Sequence, residues 1–245
     1  MKSTLIPTNT HISWQEFLNN ERIHMLNDIS RKIGKDVNPD SNNILRFLKT
    51  DLSSVKVVIL GQDPYPARGV ATGRAFEVGD LSSWEQPFKQ VSLKNIIRLL
   101  HKDYNNIKNY DDIFLFTQIK KEIKEGSFPI LPPNKLLLSW EQQGVLLLNT
   151  SLSCRPNESK SHAHLWQDFS YQLIEYISEN SELYWFLWGK HAQSMKPIIK
   201  KGSFFTSRHP MLCSSKYSDD FLKSDCFKKT DHIINWMGID CIANI

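Results

Sequence analysis

The run Val57-Val58-Ile59-Leu60 constrains the fold more than any other stretch. It is short, apolar, rich in β-branched residues and without alternation, the pattern of a strand buried on both faces. The run ends at Gly61 and opens into Gln62-Asp63-Pro64-Tyr65-Pro66, where two prolines fix φ at about −65°. A carboxylate, an amide and an aromatic ring are thus held nearly rigid just past the carboxyl end of a central strand. Open α/β sheets bind their ligands at that edge. Taken alone, the same loop reads equally as a tight turn with Asp63 as its turn-former.

Three further runs repeat the arrangement: 145–153, which carries Asn149; 183–189; and 204–210, which ends in His209-Pro210. A parallel sheet would gather the acid, the amide and the imidazole on one edge. Helical periodicity lies between the runs. It starts at Ser13 or Trp14 and continues through Ile29, returns briefly over 44–48, and resumes behind Ser92, which reads as an N-cap. Further helices are expected over 111–124, 135–143, 165–180 and 190–200. Trp84, in the turn-rich 79–87 stretch, reads as exposed near the site or packed under the loop. The expected architecture is one α/β domain over residues 1–245, with residues 1–13 as an irregular arm and a mostly parallel sheet with right-handed crossovers.

Composition adds limits. The 245 residues suffice for a sizeable core, and a net charge of +4 permits an anionic partner without requiring one. Cys154, Cys213, Cys226 and Cys241 have no CxxC spacing, so neither a zinc site nor a disulfide framework is expected. His162 and His164 are too close for a helical ligand pair, and no metal site is expected there. No apolar run reaches the roughly 18 residues of a membrane span. The N-terminus lacks a signal-peptide core, so a cytoplasmic protein is expected. No G-x-G-x-x-G or P-loop is present, which speaks against a generic nucleotide-binding domain.

GQDPY at 61–65, Phe76, GVLLLN at 144–149, WG-x-x-AQ at 188–193 and the late His209-Pro210 stand in one order along most of the chain. In this the sequence resembles the family 1 uracil-DNA glycosylases. The resemblance implies a four-stranded parallel sheet between helices, a three-layer sandwich, and a cofactor-free hydrolase that flips uracil out of DNA. It implies that Asp63 orients water and stabilises the sugar cation, and that neutral His209 donates to uracil O2 as charge builds there. Asn149 would read the O4 and N3–H edge. Phe76 would stack on the base, Tyr65 would exclude a methyl at C5, and Gln62 would offer its backbone N–H. Each residue has a plainer reading: turn-formers for Asp63 and Asn149, a core ring for Phe76, a surface imidazole for His209.

Where the family grips DNA, the chain departs from its pattern. The PPSL loop reads Gln90-Val91-Ser92-Leu93, the Gly-Ser pair reads Gly189-Lys190, and HPSPLS reads His209-Pro210-Met211-Leu212-Cys213-Ser214. Ser92, Lys190 and Ser214 are the expected phosphate contacts. Leu212 or Met211 is the expected wedge, since Cys213 stands where the family's intercalating leucine does. A weaker wedge is expected for want of the second proline. Pro66 replaces a histidine, which leaves a shifted base range open. A DNA-binding scaffold with weak catalysis is the reading from another class. The expected partners are single- and double-stranded uracil DNA and an inhibitor protein that mimics DNA, with the chain as a monomer.

Overall fold

The computed structural model describes residues 4–180 and 182–238; residues 1–3 of the expected arm and Cys241 lie outside them. Its strands are β1 (Val57–Gly61), β2 (Val145–Asn149), β3 (Tyr184–Trp188) and β4 (Ser203–Ser207). Its helices are α1 (Asn20–Ile33), α2 (Ser41–Ile44), α3 (Val91–Tyr104), α4 (Phe116–Glu125), α5 (Pro133–Gln142), α6 (Ala163–Asn180), α7 (Lys190–Ser194) and α8 (Cys226–Thr230). All strand pairs are parallel, in the order β2-β1-β3-β4.

Successive side chains of a strand point to opposite faces, so the unbroken apolar runs feed two cores. Val58, Leu60, Leu146, Leu148, Trp185 and Leu187 pack with apolar residues of α1 and α6. Val57, Ile59, Val145, Leu147, Phe186 and Trp188 pack with α3, α4, α5 and α8. Helices cover both faces, the expected three-layer α/β sandwich. At about 1.5–3 kcal/mol for each large apolar side chain buried, these two layers supply the main stabilising term.

Strand pairing also makes the site. β1 pairs with β2 as far as Gly61↔Asn149, and β3 with β4 as far as Trp188↔Ser207. The central β1–β3 ladder stops earlier, at Ile59↔Phe186. The sheet therefore splits into two halves at its carboxyl edge. The connections leave β1 and β3 toward opposite sides there, the switch point where open α/β sheets bind ligands.

Several local expectations are corrected. The main N-terminal helix begins at Asn20 rather than at Ser13 or Trp14, because Asn19 caps it by accepting from the Arg22 N–H at 2.9 Å. Ser92 is not the N-cap of α3: that position is Gln90, and Ser92 sits buried in the first turn. The 111–124 segment splits into a turn of 3₁₀-helix at Tyr110–Asp112 and α4. The 190–200 helix breaks after Ser194 into a 3₁₀ turn at Lys196–Ile198 around Pro197, whose ring blocks a continuous α-helix. β4 is a half-exposed edge strand that ends at Ser207, so His209 lies in the following loop. Trp84 is packed, with its indole N–H donating to the Leu131 carbonyl at 2.9 Å.

Candidate active site

The loop after β1 is tied down along its length. The Gln62 carbonyl accepts from the Ser151 N–H (2.9 Å) and the Thr150 hydroxyl (3.1 Å). The Pro66 carbonyl accepts from the Asn157 N–H (2.8 Å) and the Asn38 side-chain amide (2.6 Å). Asp63 is thereby fixed in place. Its Oδ2 accepts from the Ser159 hydroxyl at 2.8 Å and from the Lys160 N–H at 2.9 Å. The Ser151 hydroxyl lies near, but its proton goes to the Ser153 carbonyl (3.0 Å), and buried Oδ1 has no hydrogen-bond partner among the described residues. Burial raises the Asp63 pKa above the usual carboxylate value, and the Lys160 N–H, the Ser159 hydroxyl and the Lys160 charge oppose that rise without cancelling it.

Asn149 closes β2 directly opposite Gly61. A Cβ at residue 61 would stand 2.1 Å from Asn149 Oδ1, so only glycine lets the amide occupy this place. The Asn149 amide is buried, and no group among the described residues hydrogen-bonds it. Phe76 adopts φ +66°, uncommon for a bulky residue. The backbone around it is held by Arg74, which donates to both Glu77 carboxylate oxygens at 2.9 Å and to Glu141 through Nε at 3.0 Å. The Phe76 ring lies 5.4 Å from the Trp188 ring and 6.2 Å from that of His209, centroid to centroid. Tyr65, flanked in sequence by two prolines, packs against the core beneath α3 with its hydroxyl buried, which pushes the phenol pKa up.

His209 completes the set from the far half of the sheet. Its Nδ1 accepts from the Met211 N–H at 3.1 Å. A backbone N–H can only donate, so Nδ1 carries no proton and Nε2 is the donor of the neutral ring. Burial holds the imidazole pKa below its usual value, which keeps that ring neutral near pH 7. Gly189, at φ +88°, is required beside it, because a Cβ there would come within 2.8 Å of the His209 Cβ.

Gln62, Asp63, Tyr65 and Phe76 share one cleft of about 310 Å³ with Ser92, Asn149 and His209. Three expected residues stand outside its lining. Lys190 is exposed at the start of α7. Leu212 is exposed at the tip of the 208–214 loop, and the Ser214 N–H donates to Asp220 Oδ2 at 2.6 Å. Ser159, Lys160 and Arg74 also line the cleft and carry no signal in the sequence, and Met211, the alternative wedge, lines it as well. Lys160 reaches Asp63 through a backbone turn at φ +64°, which its residue type does not signal.

Elsewhere, His162 is buried and its Nδ1 hydrogen-bonds the Ser153 hydroxyl at 3.0 Å, while His164 is exposed. No group of three or more His, Cys, Asp or Glu able to hold a metal occurs among the described residues. Among those residues Cys154, Cys213 and Cys226 are free thiols, and no helix is long and apolar enough to cross a membrane.

Sheet and cleft define an α/β protein with a cleft at the split carboxyl edge of a parallel sheet, and with an acid and a neutral imidazole on its opposite sides. The chain belongs to the uracil-DNA glycosylase superfamily, whose family model matches residues 49–232. The uracil-DNA glycosylase of Azotobacter vinelandii is 36% identical over 244 residues, covering 93% of this chain and 90% of its own. That of Blochmanniella floridana is 33% identical over 92% of this chain and 98% of its own. Among solved structures, a mimivirus UNG variant in complex with UGI is 27% identical, with a TM-score of 0.58 over 82% of this chain and 70% of its own. The UNG of Nitratifractor salsuginis shares the fold at a TM-score of 0.72, with 20% identity over 92% of this chain and 93% of its own.

Proposed function

We propose that the chain is a DNA-repair glycosylase that hydrolyses the N-glycosidic bond of uracil in DNA and leaves an abasic site, with no lyase step. A base inside a duplex is out of reach of the cleft, so it must be flipped out first. Bond breaking then leaves a cationic sugar and an anionic base. Asp63 faces the sugar: its carboxylate stabilises the cation and orients the attacking water. His209 donates from Nε2 to uracil O2 as negative charge gathers there. Asn149 offers its uncommitted amide to the O4 and N3–H edge, Phe76 stacks on the ring, Tyr65 fills the space beside C5, and the Gln62 N–H completes the base contacts.

The observation that carries this reading is the His209 tautomer. A ring held neutral by burial, with Nδ1 occupied by the Met211 N–H, is a ready Nε2–H donor for a developing anion. Ser92, Lys190 and Ser214 are the phosphate contacts in this reading, and Leu212 is the wedge. Both single- and double-stranded uracil DNA are substrates of the monomer. An inhibitor protein that presents DNA-like charge would compete for the same face.

The test is release of free uracil and formation of abasic sites from labelled uracil oligonucleotides. Asp63→Asn should reduce kcat severely with DNA affinity nearly intact, because the lost interaction belongs to the transition state. His209→Leu should cost about 10²- to 10³-fold in kcat, the size of one lost oxyanion donor. Wild-type rates in both variants would refute the assignment.

A further inference from the structure

We propose that Ser159 is a positioning residue for Asp63: with the Lys160 amide it holds Oδ2 and fixes the carboxylate, and it keeps that carboxylate ionised once substrate fills the cleft. The inference rests on the glycosylase reading given above.

Two donors converge on one carboxylate oxygen, the Ser159 hydroxyl at 2.8 Å and the Lys160 N–H at 2.9 Å. None reaches the other, since the Ser151 proton is committed to the Ser153 carbonyl. The two oxygens of Asp63 are thereby made unlike: Oδ2 is held by two donors and Oδ1 is buried without one. The geometry is built rather than incidental. The left-handed turn at Lys160 aims its amide, and the Asn157 N–H fastens the same loop to the Pro66 carbonyl at 2.8 Å.

Ser159 is exposed in the free chain, where water can stand in for its hydroxyl. It also lines the cleft, so bound DNA would exclude that water. With substrate in place, the hydroxyl and the Lys160 amide are then the donors that oppose the burial of Asp63. The other groups around the carboxylate do little of this. Arg74 is matched by Glu77 and Glu141, and the Cys154 thiol is pushed up to about 12 and stays neutral. His191 on α7 and His209 are both lowered by burial, which keeps them neutral near pH 7 and leaves Lys160 as the charged neighbour.

Ser159→Ala and Ser159→Thr, assayed on a uracil oligonucleotide across pH, test the proposal. The kcat profile reports ionisations of the bound complex and kcat/KM those of the free enzyme. Ser159→Ala should move the acid limb of kcat to higher pH, and that of kcat/KM by less. The loss in kcat should be about ten-fold on the acid side, the size of one hydrogen bond to a charged group, with kcat and KM unchanged on the neutral plateau. Ser159→Thr, which keeps the hydroxyl, should restore the wild-type profile. A loss equal at every pH, a change in KM alone, or no change would each overturn the proposal. Carbon-13 NMR titration of the Asp63 carboxyl in the free protein gives a readout without activity. Its midpoint should rise in Ser159→Ala, and an unmoved midpoint also overturns the proposal. If the wild type released no uracil, the glycosylase reading would fall, and the titration would still decide whether Ser159 governs Asp63.

Discussion

Gly61 and Asn149 face each other at the last rung of the β1–β2 ladder, and the space between them is already full. Gly61→Ala would place a methyl 2.1 Å from Asn149 Oδ1, so the amide must move. A displacement of about 1 Å in a substrate-positioning group costs about 10²-fold. We therefore expect kcat/KM for uracil release to fall by roughly that factor while the far-UV circular dichroism stays native; an unaffected rate would mean that Asn149 does not read the base. At this scale the sequence was most legible where chemistry and backbone coincide. Asp63 stands just before two fixed prolines, past a buried run, and Asn149 is the first polar residue after one. Ser159 and Lys160 could not be read in the same way. They meet Asp63 from nearly a hundred residues away, through a left-handed turn at an ordinary lysine.

At the scale of elements, the 208–214 loop shows how other contacts replace a missing proline. The buried Asn95 amide donates to the Pro210 carbonyl at 2.6 Å, and the Cys213 thiol turns back to the same carbonyl at 3.4 Å. Asp220 accepts from the Ser214 N–H on one oxygen and from the Tyr110 hydroxyl on the other. Between these anchors the tip presents Met211 and Leu212, each more than half exposed (56% and 59%). Cys213 is half-buried against the core, so it is not the side chain that can enter a base stack. Opening a duplex costs a few kcal/mol, and least where the base is already unpaired. Leu212→Ala should therefore lower kcat/KM on a U·A duplex while sparing a single strand of the same sequence. Equal losses on both substrates would place Leu212 in the pocket or the core. Helix interiors were legible from periodicity, whereas their ends depended on caps and breaks: Asn19, Gln90 and Pro197 moved the boundaries that apolar spacing alone suggested.

Taken as a whole, the molecule holds the Asp63 carboxylate against the preference of its own fold. The sheet splits at its carboxyl edge, and the loops that close around the split bury Asp63 far enough to raise its pKa. A carboxyl whose pKa is higher in the folded than in the unfolded chain binds its proton more tightly in the native state. Its contribution favours folding below the unfolded value of about 3.9, and it is lost as pH rises through the folded pKa. At neutral pH the ionised, half-desolvated Asp63 is thus a net cost to stability. Asp63→Asn removes that charge and keeps an oxygen that can accept from Ser159 and Lys160. The new amide nitrogen takes the place of an oxygen that had no partner, and a neutral polar group is less costly to bury than an ion. His162 and His209, whose lowered pKa values make stability fall on acidification below about 6.5, are common to both proteins and drop out of the difference. We expect Asp63→Asn to melt at a higher temperature than wild type at pH 7.5, and the gap to shrink as pH falls through the folded pKa toward about 4. Paired thermal melts across that range check it. A variant less stable than wild type at neutral pH would mean that the hydrogen bonds to the carboxylate outweigh its burial.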